Sequence, residues 1–142
     1  MDENGGEIRI KANKGVILAT GGFEWNDEYV KTFVRVPLHG GISWDGNVGD
    51  GLRMAMGLGC ELALMGHTFG MPNFLAHAEY AREHGGMVCM AGNASRSNPG
   101  SIMVDQTGRR FCREDSGYMS CNNAFGGYLN FGDEGYACDP AW

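Results

Sequence analysis

The sequence has no C-x-x-C pair, and its cysteines are odd in number: Cys60, Cys89, Cys112, Cys121 and Cys138. A disulfide framework or a structural zinc site therefore has little support, and each thiol is expected to pack as a small buried apolar residue. Basic charge is also scarce. Eleven Lys and Arg stand against 17 Asp and Glu, a net charge of −6, which argues against a nucleic-acid partner, since that wants a basic face. No apolar run approaches the roughly 18 residues of a membrane span. Met1-Asp2-Glu3-Asn4 lacks the basic and apolar regions of a signal peptide, pointing to the cytoplasm unless an upstream segment carries an export signal. Nothing matches a G-x-G-x-x-G loop opening a helix after a strand.

What is abundant is glycine, 24 of 142 residues, more than double the usual share of about 7%. In a chain that is 43% hydrophobic, this implies many tight turns and close backbone approaches rather than disorder. By size the chain is one domain, large enough for a core. Nine methionines suit a soft, adaptable interior.

Along the chain, Met1 to Gly6 reads as a hairpin turn. Glu7 to Ala12 alternates charged and apolar residues, as a half-exposed strand does. Val16-Ile17-Leu18-Ala19 has no polar face and predicts a strand buried on both sides, as in a parallel sheet. Thr20-Gly21-Gly22 then turns the backbone sharply and can bring N–H groups close to a bound group. Asn26 is a good N-cap, with Asp27 and Glu28 in the first turn of a helix running to about Arg35 before Pro37. Leu38 to Val48 is a glycine-rich loop. Asp50 opens a helix, as its N-cap or as a ligand-facing residue, and Leu52 to Leu58 is apolar nearly all round, the pattern of a buried helix; Gly59 would close it. Glu61 to Met65 and Met87 to Met90 read as short strands, and Phe74 to Glu83 as a helix ended by His84-Gly85-Gly86. Ser101 to Asp105 and Arg110 to Glu114 form a hairpin about Gln106-Thr107-Gly108-Arg109. Asn122 to Asp133 has no clear period, and Gly135 to Asp139 is a last strand.

Three stretches, in order, carry a resemblance. Lys14-Gly-Val-Ile-Leu-Ala-Thr-Gly-Gly-Phe23, Gly49-Asp50-Gly51-Leu52-Arg53-Met54-Ala55, and Ser101-Ile-Met-Val-Asp-Gln-Thr-Gly-Arg-Arg-Phe-Cys-Arg-Glu114 resemble motifs of the flavoprotein family that holds fumarate reductases, urocanate reductases and 3-ketosteroid dehydrogenases. The resemblance implies an α/β fold, with α+β character in its second part. Residues 1–60 would be the end of a flavin-binding Rossmann-like domain without its dinucleotide loop, and residues 61–142 part of a substrate-capping domain. The chain would then be an internal piece of a larger flavoprotein.

The cofactor implied is FAD, with Ala19, Thr20, Gly21, Gly22, Phe23, Asp50 and Gly51 at positions near it. For substrate chemistry, Met71-Pro72 stands where fumarate reductases carry His-Pro, and Tyr118 stands near the place of their proton-donating arginine. Those departures make dicarboxylate reduction unexpected. A tyrosine there is similar to the 3-ketosteroid dehydrogenases, and a phenol can donate or accept a proton; packing in the cap would equally explain it. Arg96 falls near a family arginine that grips a substrate carboxylate, although a solvated loop charge is an equal reading.

Glu114 is expected to fix the hairpin, and His67, His77 and His84 to be surface or satisfied polar residues. The expected substrate is a small enone, steroid-like compound or unsaturated acid, oxidised or reduced at a carbon–carbon bond beside a carbonyl. Two other readings remain open: a catalytically silent fragment that needs the remainder of the flavoprotein, and a non-redox module binding a small apolar ligand.

Overall fold

The computed structural model describes residues 5–126 and Cys138. Most of the expected strand at Gly135 to Asp139, and the region after Gly126, lie outside the described residues. Among those described, five short helices punctuate long loops: α1 (Asp27–Phe33), α2 (Asp50–Gly57), α3 (Leu75–His84), α4 (Ala91–Ser95) and α5 (Tyr118–Ala124). β pairing among them is confined to one antiparallel bridge between Val104 and Arg110.

Helix α1 begins where its sequence signals it. Asn26 Oδ1 accepts from the Tyr29 amide at 3.2 Å, and Asp27 and Glu28 occupy the first turn, complementing the positive end of the helix dipole. The same Asn26 side chain donates through Nδ2 to the Val48 carbonyl at 2.9 Å, tying the helix start to the next loop. The helix stops at Phe33 rather than Arg35. Val34 is already extended, and the Phe33 ring packs on Phe23 and Tyr29, with centroids 5.8 and 5.9 Å away.

Helix α3 matches its expected span within a residue, and Gly85 and Gly86 end it at φ +80° and +97°. Its inner face supplies Ala78 and Ala81, which form a small core with Val88, against Trp25. Glycine makes this contact possible: a Cβ on Gly40 would stand 2.9 Å from Val88 Cγ2. Around it, Val88 N donates to Gly41 O at 2.9 Å, Gly86 N to Asp45 Oδ2 at 2.8 Å, and Arg82 Nη2 to Asp27 Oδ1 at 3.0 Å. Arg82 also lies over the Trp25 ring, 5.8 Å from its centroid.

Several expectations are corrected. Val16 to Ala19 forms no ladder, and Val16 and Ile17 are 76% and 93% exposed rather than buried. The apolar run marks a segment able to sit inside a sheet, but a strand exists only with a partner that supplies its hydrogen bonds. Glu61 to Met65 and Met87 to Met90 form no strands for the same reason. Helix α2 buries only Gly51, leaving Met54 and Leu58 exposed. Its N-cap is Gly49 in the left-handed conformation, not Asp50. Helix α4 and the start of α5 carry no clear period and were not expected. All five cysteines are free; Cys121 and Cys138 are buried, Cys112 is half-buried, and Cys60 and Cys89 are exposed.

No helix of the described residues is long and apolar enough to cross a membrane. Removing the α1 cap with Asn26→Ala is expected to cost about 1 kcal/mol, read as a lower urea midpoint with an unchanged slope.

Candidate functional site

The turn after Ala19 and the start of α2 are built against each other. Gly51 N donates to Thr20 Oγ1 at 2.9 Å, and Gly49 N donates to Gly22 O at 3.0 Å. A Cβ on Gly51 would lie 2.3 Å from Thr20 Oγ1, so only glycine permits this approach. Gly21 sits at φ +77°, where a Cβ would also strike Asn47.

Thr20, Gly21, Gly22, Phe23, Asp50 and Gly51 are thus gathered into one place, with Ala19 leading into it. The Thr20 bond to Gly51 uses the hydroxyl oxygen's lone pair and leaves its hydrogen to donate. Asp50 pairs with Arg53 at 3.0 Å, in the first turn of α2, where the helix dipole favours an anion.

Beside this turn, Glu24 accepts hydrogen bonds from Ser43 Oγ and, at 3.1 Å, from Asn47 Nδ2. Burial pushes the Glu24 carboxyl up, but the bonds from Ser43, Asn47 and its own amide outweigh it and hold the group below its ordinary value. Glu24 was not anticipated as a site residue; it follows the Gly-Gly-Phe turn directly, but only the fold brings Ser43 and Asn47 to it.

A cavity of about 750 Å³ opens between Gly22, Phe23 and Glu24 on one side and the later part of the chain on the other. Its walls include 37–43, 67–75, Ser95, Arg96, 101–103, Asn122 and Phe125. The size and the largely apolar lining suit a small ligand.

Arg96 lines the cavity and is anchored three ways. Its Nε donates to Asn93 Oδ1 at 3.0 Å, and its Nη1 donates to the Glu114 carbonyl and, at 3.4 Å, to Cys121 Sγ. Arg96 is therefore a held group rather than a solvated loop charge. Tyr118 is not in the wall. It stands behind Phe69, edge-on, with centroids 5.4 Å apart, and Phe69 does line the cavity. Met71 and Pro72 also line it, whereas Thr20, Gly21, Asp50 and Gly51 lie outside its walls.

Glu114 organises the floor. It is 4% exposed, receives the Met103 amide at 2.8 Å, and is gripped through both carboxylate oxygens by Arg110. The hydrogen bonds from Arg110 come first, then that from Met103, in holding its carboxyl down to about 2. The hairpin turn it supports closes as expected. Asp105 N donates to Arg109 O at 2.8 Å, and the Asp105 carboxylate collects Thr107 N, Thr107 Oγ1 and Arg109 N. Next to it, burial and the Cys121 thiol push the Cys112 thiol up to about 12, so it stays protonated at neutral pH.

FAD fits what the turn offers. The segment 19–22 is exposed, the glycines let backbone N–H groups be approached closely, and the neighbouring apolar side chains of Val16 to Leu18 are uncovered.

Comparison with known proteins agrees. The family described as FAD binding domain matches residues 1–130. The chain is 32% identical over 141 residues to a 3-oxosteroid 1-dehydrogenase of Mycobacterium tuberculosis (strain ATCC 25618 / H37Rv), covering 94% of this chain and 23% of that protein. A 3-oxosteroid 1-dehydrogenase of Mycolicibacterium smegmatis is 32% identical over 139 residues, covering 94% and 22%. A 4-oxocyclohexanecarboxylate 2-dehydrogenase of Sinomonas cyclohexanicum is 33% identical over 111 residues, covering 78% and 19%. No solved structure matches.

The chain belongs to the FAD binding domain family, whose cofactor is FAD. It spans less than a quarter of the length of these relatives.

Two outcomes are expected. Gly51→Ala forces its methyl into Thr20 and should destabilise the fold by about 1–3 kcal/mol, seen as a lowered unfolding midpoint. The bonds to Glu114 favour its charged form, so their stabilisation is complete above its ordinary value near 4.5. It should fade as pH falls towards about 2. Thermal melts of Glu114→Gln should lack that acid-side fall.

Proposed function

We propose that this chain forms part of a cytoplasmic FAD-dependent oxidoreductase that acts on a carbon–carbon bond adjacent to a carbonyl in a small cyclic substrate. The observation that carries the reading is one cavity bounded by both Gly22-Phe23 of the flavin-side turn and the anchored Arg96. The relatives' names, a 3-oxosteroid and a 4-oxocyclohexanecarboxylate dehydrogenase, support a ring ketone as the substrate class.

In this reading residues 1–60 serve the flavin side and 61–142 the substrate side. FAD, when bound, supplies the two-electron redox chemistry. Ala19 to Phe23, Asp50 and Gly51 hold it, through backbone N–H groups of the turn and the Thr20 hydroxyl hydrogen. Arg96 faces the substrate oxygen. Its cation stabilises negative charge that gathers there when a proton leaves the neighbouring carbon. Tyr118 handles that proton with its phenol, reaching the cavity past Phe69, whose 75% exposure leaves the ring room to move. The apolar wall keeps water from the reacting carbon.

The uncovered Val16, Ile17 and Leu18 favour one addition: the flavin site is completed by further polypeptide of the flavoprotein laid against them.

The test is to add FAD to the purified chain, desalt, and record the visible spectrum and bound flavin. Stoichiometric retention once the rest of the flavoprotein is supplied, lost in Gly51→Ala, is expected. No retention, alone or with the rest of the flavoprotein supplied, overturns the reading.

A further inference from the structure

We propose that Cys112 and Cys121 form a redox-responsive pair, in which hydrogen peroxide converts the two thiols to a disulfide that pins the return limb of the hairpin to α5 and is felt at Arg96 in the cavity wall. The inference goes beyond the proposed function and does not depend on it.

The limb and the helix are already packed together on either side of Cys112. The Phe111 ring meets Phe125, just past the end of α5, edge-on with centroids 5.2 Å apart. Cys121 Sγ donates to the carbonyl of Arg113 at 3.4 Å. Ser116 Oγ joins the same group, donating to that carbonyl at 2.6 Å and lying 3.2 Å from Cys121 Sγ. Between these contacts the Cys112 thiol interacts directly with that of Cys121.

The two thiols differ in the way such a pair requires. Cys121 is fully buried on α5 and fixed by its neighbours. Cys112 is half-buried and opens on a surface hollow that it shares with Arg110, Phe111 and Arg113. It stands on a bend outside the helices, so it is the partner that can be reached by a small oxidant and can turn towards the other to meet disulfide geometry. It keeps its proton at neutral pH, and the thiolate is the reactive form. The pair is therefore slow to oxidise and responds to an excess of peroxide.

The chemistry balances. One peroxide oxygen passes to Cys112 Sγ, giving a sulfenic acid and one water. Cys121 Sγ then displaces the hydroxyl, which leaves with the Cys121 proton as a second water while the S–S bond forms. Two thiols lose two electrons, and the peroxide gains them. Closure ends the Cys121 thiol's bond to Arg113, and it changes the sulfur to which Arg96 Nη1 donates at 3.4 Å.

The test is to treat the folded chain with hydrogen peroxide, block the remaining thiols with N-ethylmaleimide, and map disulfides by mass spectrometry. Cleavage after Arg113 and Glu134 puts Cys112, Cys121 and Cys138 on three different peptides. A peptide pair joined through Cys112 and Cys121, two hydrogens lighter than the sum of its parts, is expected. Dithiothreitol should remove it, and Cys112→Ser should never form it. In nitrogen-labelled protein the Arg96 Nε–H signal should move on oxidation and return on reduction.

No such pair, or Cys112 joined mainly to another cysteine, overturns the proposal. So does the same mixture of links from the folded chain and from the chain in urea, since the fold would then not be choosing the partners. An Arg96 signal that stays in place while the disulfide forms overturns the link to the cavity. Should Cys112→Ser fail to fold, the comparison of folded and urea-treated unaltered chain decides.

Discussion

Where Gly51 meets Thr20 there is no space for even a methyl group, and the structure around the turn after Ala19 depends on that closeness. The hydrogen bond from Gly51 N to Thr20 Oγ1 joins the exposed turn to the start of α2, 31 residues later. The parallel bond from Gly49 N to Gly22 O makes the joint two-stranded. With one β-bridge among the described residues, no sheet holds these loops in place there. Side chains bonded to distant backbone groups do so instead, as Asn26 to Val48, Trp25 to Ser43 and Asn73 to Gly92 show. Each such bond replaces water contacts and adds only about 0.5–1.5 kcal/mol, so the fold rests on many modest ties around a small apolar core.

A second knot lies under the other side of the cavity. The Glu114 side chain gathers the Met103 amide and Arg110, while its backbone carbonyl receives Arg96. One residue therefore links the hairpin, α4 and the cavity wall. Burying a carboxylate is costly unless it is paired and hydrogen-bonded; here both conditions are met, and the same bonds hold the Glu114 carboxyl below its ordinary value. Arg96 inherits its orientation from this arrangement, and through Cys121 it connects to α5. Gly22, Phe23 and Glu24 and the anchored Arg96 then line the same apolar space.

Local signals proved legible wherever a few adjacent residues carry the whole reason. The Asn26 cap with Asp27 and Glu28, the helix ended by Gly85-Gly86, and the hairpin turn at 106–109 all rest on interactions within about five residues. Strands were misjudged because their hydrogen bonds come from elsewhere: Val16 to Leu18 shows how an apolar run states a preference for burial without supplying a cover. By residue type Asp50 is a fitting N-cap for α2. The left-handed Gly49, packed against Tyr29 and Phe23, took that position instead.

By itself the sequence determined the flavoprotein kinship, through the three ordered motifs, and the sharp turn at Thr20-Gly21-Gly22, because glycine there states a backbone requirement in its own chemistry. Only the tertiary structure decided that Arg96 is anchored rather than solvated, that Tyr118 stands behind Phe69, and that Glu24 and Asn122 face the cavity. Those facts depend on partners 18 to 54 residues distant along the chain. No local pattern encodes such pairings, because they arise from how loops pack rather than from the spacing of residues within them.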